Sequence, residues 1–293
     1  MSQPTKGGYY LPDPSFWPII GSIGLFCIMF GAANWLHSVY YGPYIFFLGV
    51  AIIIFVIFGW FGTVIRENQH GLYDNKHIDM SFRLGMCWFI FSEVMFFGVF
   101  FGALFYSRVL SVPWIGGEGH GVMTHILLWP NFNPTWPVLH NPDPSLFVAP
   151  KSVMETWGLP ALNTLILLTS GVTITVAHWG ILQNRRMQAL IAQALTALLG
   201  ICFLTMQAHE YTIAYLEKGL TLGSGIYGTT FFMLTGFHAL HVTIGTIMLI
   251  VIFFRIYKHH FDQHSHFAFE AVSWYWHFVD VVWLLLFVFV YWM

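Results

Sequence analysis

The chain has 293 residues, of which 57% are hydrophobic, 19% aromatic and only 8% charged. Soluble domains carry about 25% charged residues, so this chain cannot cover itself with polar surface in water, and a bilayer is the remaining solvent. A net charge of −2 argues against a nucleic-acid partner, which calls for a basic face. Cys27, Cys87 and Cys202 stand singly in apolar runs, giving neither a metal clamp nor a disulfide framework.

The N-terminus, Met1 to Ser15, lacks the short apolar core and small-residue cleavage site of a secretory signal, so the first apolar run is expected to stay as a helix. Seven runs follow that are long enough to cross about 30 Å of hydrocarbon: Phe16–Leu36, Tyr44–Val64, Leu84–Ser107, Gly158–Leu182, Gln188–Ala208, Ile226–Tyr257 and Phe269–Trp292. Their unbroken length exceeds that of a membrane strand, and in lipid the backbone must satisfy itself. The expected fold is an all-α, polytopic membrane protein.

Lys6, Arg66, Lys76, Arg83, Arg185, Arg186, Arg255 and Lys258 fall on one side of these spans, against Arg108, Lys151 and Lys218 on the other. The excess predicts an inside N-terminus and, with an odd number of spans, an outside C-terminus. Trp and Tyr collect at segment ends (Tyr9, Tyr10, Trp17, Trp35, Tyr40, Tyr41, Trp60, Trp157, Tyr291 and Trp292), as interfacial belts do. The polar inner linker at 66–83 separates residues 1–65, with the first two spans, from 84–293, with the other five. The outer loop, 108–157, is rich in Pro, Gly, Trp and Asn; its WPNFNPTWPVLHNPDP stretch reads as a turn-rich excursion without a core.

Ionisable groups at bilayer depth are costly, so each needs a partner, a cavity or a function. Glu93 sits about ten residues into the third span with no neutralising neighbour in sequence. It is either bonded to a neighbouring helix or a proton-handling carboxyl. His238 and His241 in GFHALHV, and His277 and Asp280 in WYWHFVDVVW, are spaced i, i+3 and so share a helix face; the second set reads as an internal pair. The histidines could ligate haem only from facing helices. Many, such as His70 and those of KHHFDQHSHF, lie in loops without defensible ligand spacing, so no metal or catalytic residue is expected in this chain. Arg66, Glu67 and Arg255 stand at the inner interface, where side chains contact anionic head groups or snorkel to water.

The stretches GWFGTVIRE, RLGMCWFIFSEVMFF, LPALNTLILLTSGVTITVAHWGIL, QAHEYTIA, and GIYGTTFFMLTGFHALHVTIGTIMLIVIFFR with HFAFEAVSWYWHFVDVVWLLLFVFVYW resemble, in that order, the third subunit of haem–copper cytochrome c oxidases. The resemblance implies helices I–II and III–VII in two groups, forming a V that holds phospholipid. It implies partnership with the catalytic first subunit and the second subunit, which carry the haem and copper, and a role in proton uptake, stability and oxygen access. Glu93 falls on the family's helix-three glutamate, and Arg66, Glu67 and Arg255 on positions linked to lipid head groups. His238, His241, Glu270, His277 and Asp280 fall on motif positions without an assigned chemistry. The loop near Gly116–Lys151 is longer than in mitochondrial relatives and points to a bacterial inner membrane, and HSH replaces a paired histidine before Phe267. Two other readings are a quinol-oxidase third subunit, whose relatives commonly lack the first two helices, and a stand-alone proton-coupled transporter. The transporter reading lacks its usual internal repeat.

Overall fold

The computed structural model describes residues 14–69, 76–263 and 265–293. Lys6, Tyr9, Tyr10, His70 and His264, on which parts of the charge, belt and histidine readings rest, lie outside the described residues. Among the described residues there is no strand, and seven helices are long and apolar enough to cross a membrane. They are α1 (Trp17–Leu36), α2 (Gly42–Gln69), α3 (Lys76–Phe105), α4 (Leu159–Leu182), α5 (Arg186–Leu216), α6 (Ile226–Tyr257) and α7 (Phe267–Leu286). Pro18, Pro43 and Pro160 stand in first turns, where the missing N–H costs nothing.

The largest departures of the helix ends from the apolar runs are extensions into polar sequence. Arg66–Gln69 continues α2, Lys76–Arg83 opens α3, and His209–Leu216 extends α5 by two turns. Hydropathy marks where a helix crosses hydrocarbon, while the backbone bonds run on into the polar ends. The 66–83 segment is thus largely helical at both of its described margins. By its contacts the chain divides into two compact units, Met1–Phe82 and Arg83–Met293.

In the first unit α1 and α2 form a hairpin with a glycine seam. A Cβ on Gly49 would lie 2.6 Å from the Ile28 amide nitrogen and 2.8 Å from the Gly24 carbonyl, and one on Gly24 would lie 2.9 Å from Ile52 and Ile53. Without these side chains the backbones approach closely, which is how helices gain packing energy where lipid removes the hydrophobic drive.

In the second unit Trp276, Trp283, Phe203, Phe231 and Leu249 fill a core between α4, α5, α6 and α7. Polar side chains cross-link it. Trp276 Nε1 donates to Ser170 Oγ and Trp283 Nε1 to Thr164 Oγ1, both at 2.9 Å. Gln193 Nε2 donates to the Leu249 carbonyl at 2.9 Å, and Thr173 meets Thr196 at 2.7 Å. In an apolar surround such bonds hold helices that have no water to exclude.

The outer loop differs from expectation. A π-helical turn, Tyr106–Ser111, and short helices Val112–Ile115 and Val122–Leu128 prolong α3. Val112, Phe132 and Val138 form a small buried cluster, backed by Trp129 and Trp136; the segment therefore has a core, built from the aromatics that read as turn decoration. Tyr291, expected at an interface, is buried, in the π-helical turn Phe287–Trp292. Trp35, Tyr40, Tyr41, Trp60, Trp157 and Trp292 are exposed.

Candidate functional site

Glu93, on α3, and His241, on α6, meet across 148 residues of sequence, with Oε2 2.9 Å from Nε2. The other imidazole nitrogen, Nδ1, lies 2.7 Å from the Phe237 carbonyl oxygen. A carbonyl can only accept, so Nδ1 carries a proton and donates it there. One proton is then left between Oε2 and Nε2. It sits on the carboxyl with a neutral ring, or on the ring with a carboxylate, and either way the pair is neutral overall. Phe96 and Phe97 stand 5.8 and 5.0 Å from the imidazole, and Tyr275 stacks at 6.4 Å while its hydroxyl donates to the His241 carbonyl at 3.3 Å. The glutamate keeps 20% side-chain exposure and the histidine 11%, so the shared proton is near the protein surface but walled by aromatic rings.

The other sequence-identified groups are not gathered at this pair. His238 shares a helix face with His241 but is fully buried, with both nitrogens unpartnered. Phe203 and Trp283 hold its ring at centroid distances of 5.7 and 5.2 Å. His277 and Asp280 approach only to 3.9 Å between Nδ1 and Oδ2, outside hydrogen-bond range. Asp280 Oδ1 is buried without a partner. The expected internal pair is therefore loose.

A second constellation gathers where α3 begins, α4 ends and α7 begins. Arg83 donates to Glu270 Oε2, and His266 Nε2 lies 2.9 Å from Glu270 Oε1. The His178 ring stands 5.5 Å from that of His266. Ligand-type atoms of His178, His266 and Glu270 all lie within 4.8 Å of one another. Sequence spacing concealed this, because His178 arrives from another helix. The Arg83 guanidinium occupies one carboxylate oxygen, so the group's first role is an ion-paired tie between helix ends.

Among the lipid-interface candidates, Arg66 Nε donates to the Gly62 carbonyl at 3.1 Å within α2, and Glu67 follows in the same turn. Arg255 is 8% exposed and stacks its guanidinium over Phe261 at 4.5 Å, so it does not snorkel freely. Desolvation first, then the charges of Arg255 and Lys258, hold His260 below the ordinary imidazole value.

Sequence reading missed Glu210. It is fully buried on α5 beside Gln207 and Tyr291, and neither carboxyl oxygen makes a hydrogen bond of ordinary geometry. A signal was present: Gln193, Thr196, Gly200, Phe203, Gln207, Glu210 and Ala214 are all buried, and their spacing of three or four continues one face past Ala208.

The model of the family "Cytochrome c oxidase subunit III" matches residues 7–127 and 146–293; the gap falls in the outer loop. "Cytochrome c oxidase subunit 3" of Marchantia polymorpha is 40% identical over 294 residues, covering 100% of this chain and 98% of its own. The protein of the same name from Arabidopsis thaliana is 39% identical, with the same coverage. That from Scyliorhinus canicula is 38% identical over 97% of this chain and 96% of its own.

Proposed function

Because the chain belongs to the cytochrome c oxidase subunit III family, a component of an oxidoreductase complex, we propose that it works there as a non-redox subunit that steadies the catalytic subunit and helps its proton supply. As an oxidase subunit it has other oxidase subunits as partners, and the transporter reading gives way. The finer partners in this proposal are the catalytic first subunit and the second subunit, which hold the haem and copper, together with phospholipid at Arg66, Glu67 and Arg255. The membrane is a respiratory one, bacterial on the strength of the outer loop, with the N-terminus inside.

The observation that carries the proton part is the 2.9 Å contact between Glu93 Oε2 and His241 Nε2, close enough to share a proton. A group that can hold that proton on either atom without changing net charge suits exchange with a neighbouring pathway in low dielectric, where moving an isolated charge is costly. A non-redox role is supported by how the midplane histidines are used. Both nitrogens of His241 are engaged, and His238 is wedged between two aromatic rings, which leaves neither presented to an iron.

The test is purification of the tagged chain in mild detergent. Haem absorbance and copper are expected in fixed proportion to the chain, and stripping the chain off is expected to leave an oxidase that reduces oxygen but loses activity faster during turnover. A colourless, solitary chain, or a haem spectrum from the isolated chain, would overturn the proposal.

A further inference from the structure

Half-way along α4 and α7 lies a groove of roughly 400 Å³ whose walls include Leu168, Val172, Trp179 and Val281 and whose floor is Gly171. Those four wall side chains are 45–63% exposed, so the groove opens outward. Asp280, only 7% exposed, lines it.

Depth limits what can fill it. Asp280 stands 13 residues after Phe267 and 12 before Trp292, the ends of that span, which is about 18–20 Å from either end at 1.5 Å per residue. Gly171 is likewise central in α4. The groove therefore lies near the bilayer midplane, out of reach of head groups.

Among the described residues Asp280 has no donor within hydrogen-bond range. Its Oδ1 is unpartnered, His277 is 3.9 Å from Oδ2, and the Thr175 hydroxyl already donates to the Gly171 carbonyl at 2.9 Å. The Ser170 hydroxyl donates to the Leu167 carbonyl. A polar group left without a bond in hydrocarbon costs several kcal/mol, and acyl chains offer no donor. The occupant must bring one at mid-membrane while covering an apolar face. A transmembrane helix does both. A second copy, facing Asp280 with Asp280, would need one carboxyl to donate to the other, and it is an outcome that the experiment below separates. Gly171 leaves room for the Asp280 carboxyl in the groove: a Cβ there would stand 2.8 Å from Asp280 Oδ2.

We propose that the α4–α7 groove seats a transmembrane helix of another oxidase subunit, which delivers a hydrogen-bond donor to the unpartnered carboxyl of Asp280. The proposal rests on the chain being an assembled oxidase subunit and names the face by which it assembles.

The experiment uses the whole oxidase in its native membrane. A photoreactive phenylalanine analogue replaces Trp179, a wall residue that is already aromatic, and the membranes are irradiated before purification. The expected product is this chain joined to another oxidase subunit, identified by mass; adducts with lipid alone, or with a second copy, overturn the proposal. In parallel, Asp280→Leu and Val172→Trp are expected to lower the chain retained per haem after detergent washing at least 10-fold, with membrane abundance of the chain unchanged, whereas Asp280→Asn, which still accepts, stays within about 2-fold of wild type. Retention of both disruptive variants at the wild-type level overturns it. A wild-type chain that never brings haem-bearing subunits would instead sink the reading of the chain as an oxidase subunit, so the two failures are distinguishable.

Discussion

Removing the Glu93 carboxyl separates a bond that holds helices from a bond that holds a proton. In Glu93→Ala the His241 Nε2 loses its partner at 2.9 Å while Phe96, Phe97 and Tyr275 still surround the ring. An unsatisfied buried polar atom costs about 1–3 kcal/mol, and the 20% exposure of Glu93 puts the expected loss near 1–2 kcal/mol, roughly 5- to 30-fold in the equilibrium between packed and opened α3. Glu93→Gln keeps a donor for Nε2 and should lose under about 0.5 kcal/mol. Glu93→Leu combined with His241→Phe removes both polar partners, a nearly neutral exchange, so a double-mutant cycle should recover about 1–2 kcal/mol of coupling. Thermal dissociation of the chain from the purified oxidase measures stability, and activity over successive turnovers measures proton supply. Stability should fall in the alanine variant alone, whereas durability of turnover should fall in the alanine and glutamine variants alike, since neither carries the titratable proton. A glutamine variant with wild-type durability would refute the proton-linked role and leave a purely structural bond.

Four further outcomes are expected. Gly49→Ala must push α1 and α2 apart, because its Cβ would meet backbone at 2.6 and 2.8 Å; overpacking of this kind costs about 1–3 kcal/mol, read as faster proteolysis of the hairpin in detergent. Glu270→Gln breaks the ties to Arg83 and His266; with Arg83 one-third exposed, the loss is about 1 kcal/mol after screening, read by thermal scanning. Glu210→Leu removes a buried carboxyl that has no bond of ordinary geometry, so stability should change by less than about 1 kcal/mol, while Glu210→Lys should prevent accumulation of the chain in the membrane. In the outer loop the Ser145 hydroxyl and amide hold the Asp143 carboxyl below its ordinary value. The carboxylate form and its turn therefore persist to lower pH than an unbonded aspartate allows, and Ser145→Ala should move the titration midpoint upward in a loop peptide or chain followed by NMR.

The number and order of the spans were legible because long apolar runs have no alternative in lipid but helix. The helix ends were not, because Arg66–Gln69, Lys76–Arg83 and His209–Leu216 are polar yet continue the backbone ladder. Glu93 stood out by its chemistry, but its partner lies 148 residues away, and spacing along one helix carries no information about which faces meet. The same limit hid His178 from His266 and Glu270. Glu210 was lost by ending a helix at the first cluster of polar residues rather than following its buried face. The i, i+3 rule placed His238 and His241 correctly on one face, yet neighbouring rings gave them different fates.

The distance in sequence between Glu93 and His241 also sets an order of events during synthesis. The α1–α2 hairpin closes its glycine seam with residues made within seconds of one another. Glu93 must wait until 148 more residues have been added, roughly 7–30 s at 5–20 residues per second. Until α6 has been made the Glu93 carboxyl lacks its His241 partner, so this bond between helices closes only after most of the chain has been synthesised.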